Sequence, residues 1–94
     1  MNDSKNKVAI VTGGGSGIGK ASAAALANDG YSVVITGRRE DPLNNTVKEI
    51  GSDKVFAITC DVGQPESVKN MFNKTMEKFG RLDVLFNNAG GGAP

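Results

Sequence analysis

The sequence contains no histidine, no tryptophan and only one cysteine among its 94 residues. Without histidine, the chain lacks the most common general base and a usual ligand of catalytic zinc. The single Cys60 cannot form an intramolecular disulfide. The sequence therefore excludes hydrolysis by a histidine-containing triad or by a metal centre, and we expect no metal site.

Neither a strong charge of one sign nor a long hydrophobic run is present. The 11 basic and 10 acidic residues give a net charge of +1 and are spread along the chain. No basic patch for nucleic acid or an anionic membrane is visible. No apolar stretch is long enough to span a bilayer, and residues 1–7 form no hydrophobic signal core. We expect a cytoplasmic protein without nucleic-acid or membrane partners.

Glycine, in contrast, is abundant and concentrated in the stretch from Thr12 to Gly19. Before it stands the apolar, mostly β-branched run 8–11, which is typical of a buried parallel strand. After it, residues 18–28 are rich in alanine and free of proline, which predicts a helix. A glycine-rich corner of this kind directs backbone N–H groups and the positive end of the helix dipole at one point. Nucleotide phosphate binding is the preferred interpretation, and a purely structural turn is the alternative.

The rest of the chain repeats the alternation of strand and helix. Strands are predicted at 7–12, 32–36, 54–59 and 83–86, and helices at 18–29, 41–50 and 64–79. Asp41 is predicted to cap the second helix, and the helices are expected to end at Gly30, Gly51 and Gly80.

The third predicted helix has the clearest periodicity. Its apolar and threonine positions recur at separations of three and four: Val68, Met71, Phe72, Thr75, Met76 and Phe79. This spacing is typical of a helix that packs on a core, so the methionines and phenylalanines are interpreted as core residues. Cys60, at the end of an apolar strand, is interpreted as a small buried hydrophobe.

Strict alternation with short connections predicts an α/β fold, a doubly wound parallel sheet of the Rossmann type. Right-handed crossovers give the strand order 3-2-1-4, with the first two helices on one face and the third on the other. Residues 1–94 are expected to form a single domain with a flexible start at residues 1–6.

Three motifs stand in order along this fold: Thr-Gly-x-x-x-Gly-x-Gly at 12–19, Asp61-Val62, and Asn87-Asn88-Ala89-Gly90. With this order and spacing, essentially the whole chain resembles the short-chain dehydrogenase/reductase family. The resemblance implies an oxidoreductase that transfers hydride between a nicotinamide cofactor and a small carbonyl or alcohol substrate. It also implies a homo-oligomer.

The resemblance assigns a role to each motif. The glycine corner would surround the pyrophosphate and adenosine ribose, Asp61 would face the adenine amino group, and Val62 would pack on the ring. Alternatively, Asp61 only satisfies backbone groups near the third helix. Asn87 and Thr12 would join strand four to strand one. The implied cofactor-binding residues are Gly13, Gly15, Ser16, Gly17, Ile18, Gly19, Arg38, Arg39, Asp61, Val62, Asn88, Ala89 and Gly90.

The end of the second strand indicates which cofactor is bound. NAD sites normally place a carboxylate here for the ribose 2′-hydroxyl, but this sequence has Gly37 followed by Arg38 and Arg39. Because a guanidinium matches a phosphate bidentately, NADP is favoured over NAD. The two arginines could instead be a solvated turn. The basic residue that some NADP-dependent members carry before the second motif glycine is replaced by Ser16.

The catalytic tyrosine and lysine of the family have no counterpart here. The only tyrosine is Tyr31, and the residue four positions later is Ile35. No catalytic residue is therefore predicted, and the chain is expected to be the cofactor-binding half of an enzyme, truncated after strand four. A noncatalytic dinucleotide-binding module and an inactive fragment are the alternatives. If the chain ends at Pro94, strand four is an open apolar edge, which predicts self-association or marginal folding.

Overall fold

The computed structural model describes residues 7–13, 15 and 17–87. Its elements are β1 (Val8–Thr12), α1 (Gly17–Asn28), β2 (Ser32–Gly37), α2 (Glu40–Ile50), β3 (Val55–Thr59), α3 (Pro65–Phe79) and β4 (Val84–Phe86). The predicted order of elements is confirmed, and each bound lies within about one residue of the prediction. The predicted flexible start at residues 1–6 lies outside the described residues.

The strands form one parallel sheet in the order β3-β2-β1-β4, which confirms the predicted topology. Val8 lies opposite Ser32 and Thr12 opposite Thr36, so β1 and β2 are paired along their whole common length. Because the strands are parallel, their carboxyl ends and the loops that follow them meet at one edge of the sheet.

The core has two layers, one on each face of the sheet. The first lies beneath α1 and α2 and contains Val11, Ala23, Ala27, Val33, Ile35, Leu43 and Val55. The second lies beneath α3 and contains Ile10, Val34, Cys60 and Met71. Neighbouring residues of β2 point to opposite faces, as the pleat requires. The predicted placement of the helices is confirmed, and so is the burial of Cys60.

The ends of α2 and α3 agree with the prediction from the sequence, whereas the start of α2 differs from it. Gly51 and Gly80 end α2 and α3 with φ of 71° and 76°, a left-handed conformation that favours glycine. The prediction that Asp41 caps α2 was wrong. Arg39 is the extended residue before the helix, and Asp41 lies inside the first turn with Glu40. There a carboxylate stabilises the helix through the dipole and not through a capping bond.

The core stripe of α3 also differs from the prediction at one position. Met71 and Thr75 are buried, whereas Met76 is 47% exposed and is not a core residue. Met76 lies about 100° around the helix from Thr75, outside the covered arc. Thr75 can occupy the buried position because its hydroxyl donates to the carbonyl of Met71 at 2.9 Å.

Two further observations concern the described part of the chain. None of its helices combines the length and the apolarity that crossing a bilayer would need. Within residues 7–13, 15 and 17–87, no three histidine, cysteine, aspartate or glutamate side chains group in a way that could hold a metal ion.

Candidate functional site

Two adjoining cavities lie at the carboxyl edge of the sheet. One, of about 400 Å³, is lined by Gly13, Thr36, Gly37, Arg38, Cys60, Asp61, Val62 and Gly63. The other, of about 300 Å³, is lined by Gly13, Gly15, Gly37, Arg38, Arg39, Pro42 and Leu43. They share Gly13, Gly37 and Arg38, and together they form what we call the carboxyl-end groove. The topology therefore brings the loops after β1, β2 and β3 to one place.

The loop between β1 and α1 forms one wall of this groove. Gly13 has a φ of 69°, which residues with a side chain rarely adopt. Gly17 and Ile18 open α1 and are exposed, while Gly19 is buried in the helix. The first turn of α1, which is wholly described, contains no acidic residue. No carboxylate of this turn offsets the positive end of the helix dipole, which favours an anion.

The loop between β2 and α2 supplies the basic side chains. Arg38 and Arg39 are both exposed and both line the smaller cavity. Among the described residues, neither guanidinium has an ion-pair partner. Glu40 and Asp41 follow in the first turn of α2 and lower the positive potential of this loop.

Asp61 and Val62 lie on the opposite wall, after β3. Oδ1 of Asp61 accepts a hydrogen bond from the backbone N–H of Gly63 at 2.9 Å. The backbone N–H of Asp61 donates to Oγ of Ser67, also at 2.9 Å. The Asp61 carboxylate thus satisfies a backbone N–H group near α3, which was the alternative interpretation of the sequence. Its role toward adenine stays a prediction. Val62 exposes about half of its side chain beside it.

The predicted connection between β1 and β4 is confirmed. The hydroxyl of Thr12 lies 3.1 Å from Oδ1 of Asn87 and 3.4 Å from the carbonyl oxygen of Phe86, and its single proton can be donated to either oxygen. Four of the predicted cofactor-binding residues, Ser16, Asn88, Ala89 and Gly90, lie outside the described residues.

The family model of the short chain dehydrogenases matches residues 7–94. The chain belongs to the short-chain dehydrogenase family. An uncharacterized oxidoreductase of Staphylococcus saprophyticus is 44% identical over 93 residues, which cover 96% of this chain and 40% of that protein. The chain therefore spans only about two-fifths of the length of this curated relative.

Solved structures agree with the family assignment. A short chain dehydrogenase from Bacillus anthracis has a TM-score of 0.88 and 41% identity, covering 94% of this chain and 36% of its own. An actinorhodin polyketide ketoreductase with NADPH has a TM-score of 0.86 and 36% identity, covering 96% and 35%. A 3-ketoacyl-(acyl-carrier-protein) reductase from Brucella melitensis with NADH has a TM-score of 0.80 and 33% identity, covering 86% and 33%. Structural neighbours in the family thus bind either NADPH or NADH.

The only tyrosine of this short-chain dehydrogenase sequence lies far from the groove in the fold. Tyr31 precedes β2 and packs against the core beneath α1 and α2. It is therefore at the amino edge of the sheet, whereas the groove is at the carboxyl edge.

Six residues that line the groove were not among the predicted site residues: Thr36, Gly37, Pro42, Leu43, Cys60 and Gly63. Thr36 lines the larger cavity, is fully buried, and its hydroxyl has no hydrogen-bond partner among the described residues. Pro42 lines the smaller cavity from the first turn of α2. The position of Thr36 near the carboxyl end of a predicted strand could have indicated that this residue lies at the site. No feature of the residues around Pro42 indicated its contacts.

A larger hollow, of about 840 Å³, lies elsewhere, between α1 and the end of α2. Alanines of α1 form much of its lining, and an ion pair of 2.6 Å joins Lys20 to Glu49 beside it. Of the predicted cofactor-binding residues that the structure describes, only Gly17 lines it. Its size alone does not indicate a site, because the groups that could bind a dinucleotide lie at the carboxyl edge.

Proposed function

We propose that this chain is the dinucleotide-binding part of an NADP-dependent oxidoreductase. One observation carries the choice of cofactor. At the end of β2, where NAD-dependent sites place a carboxylate, stands Gly37, and the exposed Arg38 and Arg39 line the adjoining cavity of about 300 Å³. When bound, the nicotinamide would supply or accept the hydride.

The residues present fit a dinucleotide. Both cavities have volumes of the order of known ligand sites, roughly 300–1,000 Å³. The left-handed Gly13 and the first turn of α1 would hold the pyrophosphate through backbone N–H groups. We assign this part to Gly13, Gly15, Ser16, Gly17, Ile18 and Gly19.

The other wall suits the adenosine part. The exposed apolar surface of Val62 would pack on the base, and the carboxylate of Asp61, which accepts from Gly63 through Oδ1, would orient its amino edge. We assign the adenosine ribose to Asn88, Ala89 and Gly90.

Arg38 is the residue that would distinguish the two cofactors. Arg38 lines both cavities, and a guanidinium can form two parallel hydrogen bonds with a 2′-phosphate. Gly37 presents no carboxylate that would repel this phosphate. Arg39 adds a second positive charge, which Glu40 and Asp41 partly offset.

Proton transfer to a carbonyl or from an alcohol requires residues outside this sequence. Tyr31 lies at the wrong edge of the sheet, and the sequence contains no histidine. We propose that the whole protein is a cytoplasmic homo-oligomer acting on a small carbonyl or alcohol. The position of Tyr31 also favours a second candidate, a module that binds the dinucleotide without turnover.

Titration calorimetry with NADP⁺ and NAD⁺ tests the proposed cofactor. Arg38→Ala should weaken NADP⁺ binding by about 1–3 kcal/mol and leave NAD⁺ nearly unchanged, because only the phosphate loses a charge-assisted bond. Lys48→Ala removes a positive charge from the last turn of α2 and should change neither affinity. Equal losses for both cofactors would overturn the role of Arg38. Oxidation of NADPH with a simple ketone, measured in parallel, separates an enzyme from a binding module.

A further inference from the structure

The glycine loop comes close to the first turn of α2 at Gly15. A Cβ placed on Gly15 would lie 2.8 Å from Cβ of Pro42. The next nearest atoms, at 3.5 and 3.7 Å, also belong to Pro42. Gly15 occupies one of the three unspecified positions of the Thr-Gly-x-x-x-Gly-x-Gly motif. The motif does not require glycine here, but the approach of Pro42 leaves no room for a side chain.

Pro42 cannot move without moving its helix turn. Its carbonyl oxygen accepts a hydrogen bond of 3.0 Å from the hydroxyl of the buried Thr46. The next residue, Leu43, is also buried, and its Cδ2 lies 3.4 Å from the position of a Cβ on Gly37. A displacement of Pro42 therefore shifts the whole first turn of α2. This shift also displaces the residues that precede the turn.

The residues that precede this turn are the two arginines. Only Arg38 and Arg39 separate the end of β2 from the start of α2. The helix start is weakly held, because Arg39 forms no side-chain capping hydrogen bond. The glycine loop, in contrast, follows a strand that is buried along its whole length. A methyl group on Gly15 would therefore shift the first turn of α2 and not β1.

We propose that Pro42 is a positioning residue for cofactor selectivity, acting through its contact with Gly15. This contact sets the position of Arg38 relative to the glycine loop. It thereby sets the spacing between the pyrophosphate site and the 2′-phosphate site. The inference rests on the proposed NADP function, because the geometry matters only where a guanidinium must meet a phosphate bidentately.

The test compares the dissociation constants of NADP⁺ and NAD⁺ for the parent chain, Gly15→Ala, Pro42→Gly and the double variant. Gly15→Ala should weaken NADP⁺ about tenfold and NAD⁺ by about twofold or less, as expected for the loss of one charge-assisted bond. Pro42→Gly alone loses the contact and should also lower the NADP⁺ selectivity. In the double variant the methyl group added at position 15 takes the place of the lost Pro42 side chain, so this variant should recover most of the selectivity. If Gly15→Ala fails to fold, the double variant should fold again, for the same reason.

Gly17→Ala is the contrast within the same loop. Outside its chain neighbours and the backbone of its own helix, a Cβ at Gly17 meets no atom of the described residues within 4 Å. Any effect it has on pyrophosphate binding should weaken both cofactors alike and leave their ratio unchanged. Equal losses of NADP⁺ and NAD⁺ affinity in Gly15→Ala would overturn the inference, as would a double variant that recovers neither selectivity nor folding. A parent chain without preference for NADP⁺ would overturn the proposed function and this inference with it.

Discussion

Strands β2 and β4 are both apolar, yet they have opposite environments. Val33, Val34 and Ile35 of β2 are 0% exposed, whereas Leu85 and Phe86 of β4 are 49% and 37% exposed. In the described part of the chain, β2 lies between two strands with helices on both faces, and β4 pairs with β1 alone. The burial of a short apolar run is therefore decided by its neighbours and not by its composition.

Because the side chains of β4 are only partly buried, polar contacts at both of its ends hold this strand in the sheet. At its amino end, Val8 and Asp83 exchange two hydrogen bonds of 2.9 Å, and the guanidinium of Arg81 binds the same carboxylate at 2.6 and 2.8 Å. At its carboxyl end, the hydroxyl of Thr12 bonds to Asn87. The interior strand β2 thus depends on packing. The edge strand β4 depends on directional contacts, which a change of pH or the substitution of one side chain can remove.

The largest difference between the two strands should appear on truncation of an apolar side chain. Ile35→Ala should lower the free energy of unfolding by about 2–5 kcal/mol, because it leaves a cavity in the core. Leu85→Ala should cost less than about 1 kcal/mol, since half of the side chain is already in water. Urea denaturation measures both. Equal losses would show that β4 is packed as tightly as β2. Ile35→Val, costing about 0.5–1.5 kcal/mol, calibrates the measurement if Ile35→Ala does not fold.

The exposed apolar surface of β4 should promote association of the chain with itself. Burial of a leucine contributes about 1.5–3 kcal/mol, so Leu85→Lys should weaken self-association about tenfold or more. Sedimentation over a range of protein concentrations measures this. Met76→Lys is the control, because Met76 is equally exposed but lies on α3. A cooperatively melting parent that is monomeric at all concentrations would contradict the prediction.

The contact at the amino end of β4 should make its stability depend on pH. The hydrogen bonds from Arg81 and from the backbone of Val8 hold the pKa of the Asp83 carboxyl below its ordinary value of 3.8. A carboxyl whose pKa is lowered by folding stabilises the protein above its unfolded pKa, and this contribution is lost as pH falls through the folded pKa.

Asp83→Asn should therefore lower the urea midpoint at pH 7, and its difference from the parent should shrink toward pH 3. Urea denaturation at both pH values measures this. Asp53→Asn, at an exposed position before β3, is the matched control for the loss of one surface carboxylate. A constant difference for Asp83→Asn at both pH values would show that the charge of this carboxylate does not matter.

The smallest effect concerns two threonines that lie opposite each other on β1 and β2. Thr12→Val should cost about 1 kcal/mol, because its hydroxyl bonds to Asn87. Thr36→Val should be neutral or should stabilise the fold by up to about 1 kcal/mol, because its buried hydroxyl has no partner among the described residues. Denaturation in urea compares the two variants. Destabilisation by Thr36→Val would mean that this hydroxyl is satisfied in solution.

The local features of the fold could be predicted from the sequence. The β-branched runs identify the strands, and Gly51 and Gly80 identify two helix ends, because each signal resides in a few adjacent residues. The gathering of Gly13, Arg38 and Asp61 at one edge also follows, since parallel strands place their carboxyl ends together. Cofactor roles for these residues remain predictions.

Features that depend on contacts between distant segments could not be predicted. Three such features are the exposure of Met76, the lack of a partner for the Thr36 hydroxyl among residues 7–13, 15 and 17–87, and the approach of Pro42 to Gly15. Each depends on which segment lies opposite. The start of α2 could not be predicted either, although it is a local feature. Arg39, with its extended backbone after β2, precedes the helix, and Asp41 lies inside its first turn.

The sequence by itself determined the order of the elements, the parallel sheet and the identity of the glycine-rich and arginine-bearing loops. Periodicity, turn chemistry and chirality act locally and are written in adjacent residues. Only the tertiary structure decided which apolar strand is buried, which threonine has a partner and which two loops touch at Gly15 and Pro42. The physical reason is that burial and close contact each require two surfaces that pack against each other. Adjacent residues determine each surface, but which surfaces meet depends on the folded chain.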